Sequence, residues 1–275
     1  MSNRSFENYR RPRNTLGSDT FTSKQNRLRP RTFSSTASTH FLPAFSVRRR
    51  VLKTEETEDF LGALQGELSR HYRVTPIGRL VMTAVEEREV VRTLRESRVD
   101  PQPEEMTAVA RNLRDSYRDM LKSKPRTLHV PLGGIFTFGA KNDKLSVVPS
   151  GWKGYKKHYA RRGLDGSVLP IPLLTTEVDL AIGALANAFG DEESPNPVNV
   201  GPLQNKTPHI TIAQKVNGGA ITNSEFHAVR EIIESIMPAE FVLFDPAIYL
   251  RIEQGEPPEV LHPRSVKQRD FGHLL

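Results

Sequence analysis

"KTPHITIAQK", residues 206–215, is the stretch on which the fold turns. In a β-strand successive side chains point to opposite faces. Pro208, Ile210 and Ile212 then share one face, and Thr207, His209, Thr211 and Ala213 the other. The first face feeds a core. The second presents an imidazole flanked by hydroxyls. Two readings are open here: a chemical site, or an ordinary half-buried strand.

The flanking residues give the strand its setting. Downstream, Gly218-Gly219 turns the chain, and Thr222 with Glu225 forms a capping box. The helix that follows has the stripe Phe226, Val229, Ile232, Ile233 and Ile236, and Pro238 stops it. "EFVLFDPAIYLRIE" then reads as a strand interrupted at Pro246. Upstream, a helix spans 176–189, opened by a Thr176/Asp179 pair and closed by Gly190.

Earlier still, the spacing predicts a helix over 54–69 with the stripe Phe60, Leu61, Leu64 and Leu68. "GRLVMTAV" (78–85) is a strand leading into the charged helix "EEREVVRTLRES". Pro103 opens another helix, lined by Met106, Val109, Leu113, Tyr117 and Leu121. "RTLHVPLGGIFTFG" is a strand with a bend at Gly133-Gly134, and "DKLSVVPS" is its neighbour. Strands and helices alternate irregularly, which gives an α+β class.

Composition bounds the chemistry. The 275 residues contain no cysteine, which excludes disulfides, thiolate metal sites and cysteine nucleophiles. No apolar run is long enough for a membrane helix, and no secretory signal is evident, so no membrane partner is expected. The net charge of +7 is uneven. Residues 1–50 hold ten arginines and Lys24 against Glu7 and Asp19, so that segment is +9 and the remainder −2. Rich in Ser, Thr and Asn and without apolar periodicity, residues 1–50 read as a disordered basic tail. Three roles are open for it: a solvated arm, an arm that binds RNA or another polyanion, or a mitochondrial transit peptide. The compartment is accordingly cytoplasmic or nuclear, or mitochondrial in the third case. Residues 51–77 form a helix and connector, 78–253 the main domain, and 254–275 a loose C-terminal tail.

"RTLHVPLGG" (126–134) echoes "KTPHITIAQ" (206–214). Each has a basic residue, a threonine, one residue, a histidine, then apolar alternation. His129 and His209 lie eighty positions apart. With these two stretches the chain resembles the two-histidine (2H) phosphoesterase superfamily, which includes RNA 2′,3′-cyclic phosphodiesterases. That family has two H-x-[T/S] strands, one per lobe of a pseudo-symmetric domain, and the resemblance spans residues 78–253. It implies a two-lobed α+β fold of antiparallel sheets flanked by helices. It also implies metal-independent cleavage of an RNA or oligonucleotide phosphodiester, with no cofactor.

The chemistry behind such a pair is acid–base. One group takes a proton from the attacking oxygen and one gives a proton to the leaving oxygen, and two imidazoles do both near neutral pH. By the resemblance His129 and His209 are that pair, and Thr211 donates to a phosphate oxygen. The departure is Pro131, where the family has Thr or Ser. Proline has no hydroxyl to donate. Thr127 shares the face of His129 and is the substitute on hand.

One further stretch bears on partners. "GWKGYKKHYARRG" (151–163) interleaves Trp152 and Tyr155 with Lys153, Lys156, Lys157, Arg161 and Arg162. Aromatic faces stack on bases while cations hold phosphates, so this is a candidate RNA-binding segment. A solvated basic segment with inward-packed aromatics is the alternative. The functional expectation is a phosphodiesterase acting on RNA ends, 2′,3′-cyclic phosphates or 2′-5′-linked oligonucleotides. The alternative is a weakened or inactive RNA-binding or structural protein that uses the basic arm.

Overall fold

The computed structural model describes residues 41–139, 141–150, 170–190, 198, 203 and 208–266. Eight strands and five α-helices fall within them. In chain order these are β1 (Ala44–Val51), α1 (Glu55–Leu68), β2 (Tyr72–Val74), β3 (Val81–Val85), α2 (Glu87–Glu96) and α3 (Pro103–Leu121). Then come β4 (Leu128–Phe138), β5 (Lys144–Pro149), α4 (Pro170–Phe189) and β6 (His209–Lys215). α5 (Asn223–Ile236), β7 (Glu240–Arg251) and β8 (Glu259–Leu261) complete the order. The class is α+β, as the patterning predicts.

All strand pairings are antiparallel. The main order is β1-β3-β6-β5-β4-β7-β8, and β1 also pairs with β7, so six strands close a ring. Two hydrophobic cores flank this network. In the first, Phe60 and Leu64 of α1 and Val229 and Ile233 of α5 pack on Leu128, Val147, Ile210 and Ile212. In the second, Val90 of α2, Leu113 and Tyr117 of α3, and Ala181 and Leu185 of α4 pack on Phe45, Val47 and Ile248. Each fully buried Leu, Ile or Phe contributes roughly 1.5–3 kcal/mol of transfer free energy.

Three strands serve both cores. β7 gives Phe241 and Leu243 to the first and Ile248 and Leu250 to the second. β3 divides Met82 from Ala84, and β1 divides Val51 from Val47, in the same way. The two lobes are therefore joined by shared strands.

Helix starts follow the local chemistry. Thr54 accepts from the Thr57 N–H, and Thr222 and Glu225 exchange hydrogen bonds as a capping box. α4 departs from expectation, beginning at Pro170 with Thr176 well inside it. Proline at a helix's first turn forfeits only an N–H that has no intrahelical partner, so the prolines at 170 and 172 do not delay the start.

Other boundaries are corrected as well. Residues 44–50, assigned from sequence to the disordered tail, form most of β1. Residues 1–40 lie outside the described residues. β7 runs through Pro246 without interruption. At that position it pairs with Arg49 on one side only, because β4 pairing ends at Leu243 and β8 pairing begins at Ile248. The missing N–H thus falls on an unpaired edge. The C-terminal segment is not loose throughout either. β8 pairs with β7, and the Arg264 guanidinium is bonded to Asp245 and to the carbonyls of Leu121, Lys124 and Pro125.

Candidate functional site

β6 sets the site by alternation. Ile210 and Ile212 are fully buried in the first core, so His209 and Thr211 turn to the opposite face. There they line a groove of about 330 Å³. Register brings the neighbours in. Thr83 of β3 pairs with His209, and Ser146 of β5 pairs with Thr211. The hydroxyls of Ser146 and Thr211 are 3.1 Å apart, and Ser146 is fully buried. When Ser146 donates to Thr211, the Thr211 hydroxyl proton is released to point into the groove.

β4 supplies the next wall. Leu128 and Val130 face the first core, and a register shift between Leu132 and Gly134 returns Ile135 to it. After the shift the even-numbered residues face outward, and Phe138 reaches the groove. Its ring lies flat on the His209 imidazole, with centroids 4.1 Å apart and planes 6° from parallel.

Three cations line the groove: Arg48 of β1, Arg88 of α2 and Lys144 of β5. Arg88 is engaged with Glu86 and Glu89. Glu87, also in the groove wall, is 3.2 Å from Arg251. Lys144 and Arg48 have no acidic partner among the described residues. The Arg48 guanidinium sits 5.0 Å from the Tyr249 ring centroid, and its buried Nε has no hydrogen-bond partner among the described residues. Two cations without an acidic partner among the described residues, a hydroxyl and an imidazole in one concavity suit a monoanionic oxyanion such as a phosphodiester. No cluster of three or more His, Asp or Glu among the described residues is arranged to hold a metal ion.

The sequence-derived candidates divide. His209 and Thr211 line the groove; His129 and Thr127 do not. His129 shares the outward face of β4, since its neighbours Leu128 and Val130 face the core. Its side chain is 61% exposed, and its Nδ1 lies 2.5 Å from Glu240 Oε1. Nine positions separate it from Phe138, roughly 30 Å of extended strand at about 3.3 Å per residue. Pro131 stands where β4 changes partner from β7 to β5, and its carbonyl accepts from the Ser150 N–H at 2.7 Å. Trp152, Lys153, Tyr155, Lys156, Lys157, Arg161 and Arg162 lie outside the described residues.

Sequence reasoning missed Arg48, Thr83, Phe138, Lys144 and Ser146. Arg48 was hidden in the segment assigned to the tail. The other four carry no local signal, because strand register alone brings them to His209.

No family model matches the chain, and no curated protein matches it. Among solved structures, a conserved protein of unknown function from Agrobacterium tumefaciens is similar at 17% identity and a TM-score of 0.37, over 81% of this chain and 86% of that one. Usb1 of Kluyveromyces marxianus is similar at 10% identity and a TM-score of 0.36, over 79% of this chain and 97% of that one. The functional reading therefore rests on the residues of the groove itself.

Proposed function

We propose that the groove around His209 binds the phosphate of an RNA end, a 2′,3′-cyclic phosphate or a 2′-5′ linkage, and cleaves it without metal. The observation that carries this reading is the convergence of His209, Thr211, Arg48 and Lys144 on one concavity. Arg48 and Lys144 offset the phosphate charge, and Thr211, backed by Ser146, donates to a non-bridging oxygen. With a cyclic phosphate, water forms the new P–O bond and releases its proton to solvent. His209, as imidazolium, gives its proton to the ribose oxygen that departs, and solvent returns a proton to the ring. The choice of RNA over other phosphodiesters rests on the likeness of the two histidine stretches to 2H motifs.

The placement of His129 outside the groove, with Pro131 two residues on, favours a second reading: binding without turnover. Hydrolysis of cyclic-phosphate and 2′-5′ substrates in EDTA separates the two. Under the first reading wild type turns over, His209→Ala loses about 10²–10⁴-fold, and His129→Ala stays near wild type. Equal loss in both variants would mean that the two imidazoles act together on one phosphate. Equal rates for wild type and His209→Ala would remove the catalytic reading. Tight binding with no turnover would establish the second.

A further inference from the structure

An acid–base histidine works only if its nitrogens are aimed. A half-buried imidazole on a strand retains rotation about two side-chain torsions, and the second of these is broad. In this groove the ring of Phe138 removes that freedom by covering one face of His209 at 4.1 Å, nearly parallel. We infer that Phe138 is a positioning residue for His209, holding the imidazole by its face so that an edge nitrogen meets the phosphate. The inference rests on the catalytic reading of His209.

The chain around Phe138 is built to keep it there. Phe138 ends β4 and pairs with Lys144 of β5. Gly139 follows at φ +94°, a conformation that side chains rarely adopt, and a Cβ there would come 2.8 Å from Asp143 Oδ1. Asp143 is buried and accepts from Gln214 Nε2 at 2.8 Å, while its carbonyl accepts from the Lys215 N–H. The end of β4 is thereby tied to β6, the strand that carries His209. Strand and hairpin position the two rings together.

Stacking also distinguishes the two charge states of the ring. An imidazolium over an aromatic face gains a cation–π attraction that a neutral imidazole lacks. The charged groups facing the same groove are Arg48 from β1, Glu86 just before α2, Glu87 and Arg88 from α2, and Lys144 from β5. All are constant across substitutions at 138, so differences between variants isolate the ring.

The test uses the full chain with Phe138→Leu, which keeps bulk without an aromatic face, and Phe138→Tyr, which keeps the face. The His209 ring signals are assigned by their loss in His209→Ala and followed by NMR against pH, without substrate. Phe138→Leu is expected to lose the ring-current displacement of those signals and lower the titration midpoint by about half a pH unit. Phe138→Tyr is expected to retain both. In turnover, Phe138→Leu should lower kcat several-fold with KM nearly unchanged, and Phe138→Tyr should restore it. Signals and midpoint in Phe138→Leu identical to wild type would overturn the inference. Absence of turnover in wild type would overturn the catalytic reading alone, and the NMR comparison would still decide whether Phe138 holds the ring.

Discussion

Arg49 Nε donates to Glu177 Oε1 at 2.8 Å, joining β1 to α4 across 128 residues of chain. The two side chains are 2% and 0% exposed. Arg49 also donates to the Phe244 carbonyl, and the Tyr117 hydroxyl donates to the Glu177 carbonyl. One buried ion pair thus ties β1, β7, α3 and α4 around the second core. Glu177 Oε2 has no hydrogen-bond partner among the described residues, so the pairing within them is incomplete on the carboxylate side.

Removing one member strands the other. Glu177→Ala leaves a guanidinium buried with a single carbonyl partner and is expected to cost about 3–5 kcal/mol in urea unfolding. Replacing Arg49 and Glu177 together by Met and Leu should cost far less, because no charge is then left behind. Burial pushes the Glu177 carboxyl above its ordinary 4.5, against the pull of Arg49. A raised folded value means stability that is full below 4.5 and declines as pH rises through the folded value. Glu177→Gln should abolish that decline. A double variant as unstable as Glu177→Ala would show that packing, not the charge, holds the junction.

The Ser146–Thr211 hydrogen bond makes a different prediction. Ser146 is too buried to touch substrate, yet it is hydrogen-bonded to the Thr211 hydroxyl, the group that the proposed function sets against the phosphate. Losing one neutral hydrogen bond costs about 1 kcal/mol, so Ser146→Ala should weaken binding of a phosphodiester oligonucleotide about fivefold. Thr211→Val should weaken it at least as much. Calorimetric titration measures both. Unchanged affinity in Ser146→Ala would mean that Thr211 is oriented without it.

Arg48 and Lys144 are testable through salt. Each phosphate contact on a single strand contributes roughly 0.7 to the slope of log affinity against log salt. Arg48→Gln and Lys144→Gln should each lower that slope by about this amount, and the double variant by about twice it. Binding measured across a salt series gives the slope. An unaltered slope in either variant would take that residue out of the phosphate contact.

What the sequence made legible follows from the range of each interaction. His209 and Thr211 were readable because strand alternation is local, and Ile210 and Ile212 mark the buried face. The Thr222/Glu225 box was readable for the same reason. β1 was not: "RRR" at 48–50 looks solvated, and the carboxylate that makes Arg49 tolerable inside comes from Glu177. The start of α4 was obscured by prolines that a first turn accepts. The likeness of the two histidine stretches placed His129 and His209 on outward faces, but β4 runs on nine residues from His129 before Phe138 meets His209. Strand register decides which residues share a groove, and register is a property of pairing between distant segments.

His262 lies in the C-terminal segment between β8 and Arg264. It is half-buried, and its buried Nδ1 has no hydrogen-bond partner among the described residues. Burial, and then the charge of Arg50, push its pKa below the ordinary 6.5, with Asp245 opposing. The unfolded chain therefore binds a proton that the folded chain resists, and stability falls as pH drops from 6.5 through the folded value. The loss should be felt locally, where β8 and Arg264 hold this segment against β7, Leu121 and Lys124. Limited proteolysis and thermal unfolding from pH 7.5 to 5 should show the C-terminal segment released first, and His262→Gln should flatten that dependence. Arg264→Ala should release the segment at every pH, since its hydrogen bonds do not depend on the imidazole. If His262→Gln kept the full acid sensitivity of wild type, another titrating group would govern the release of this segment.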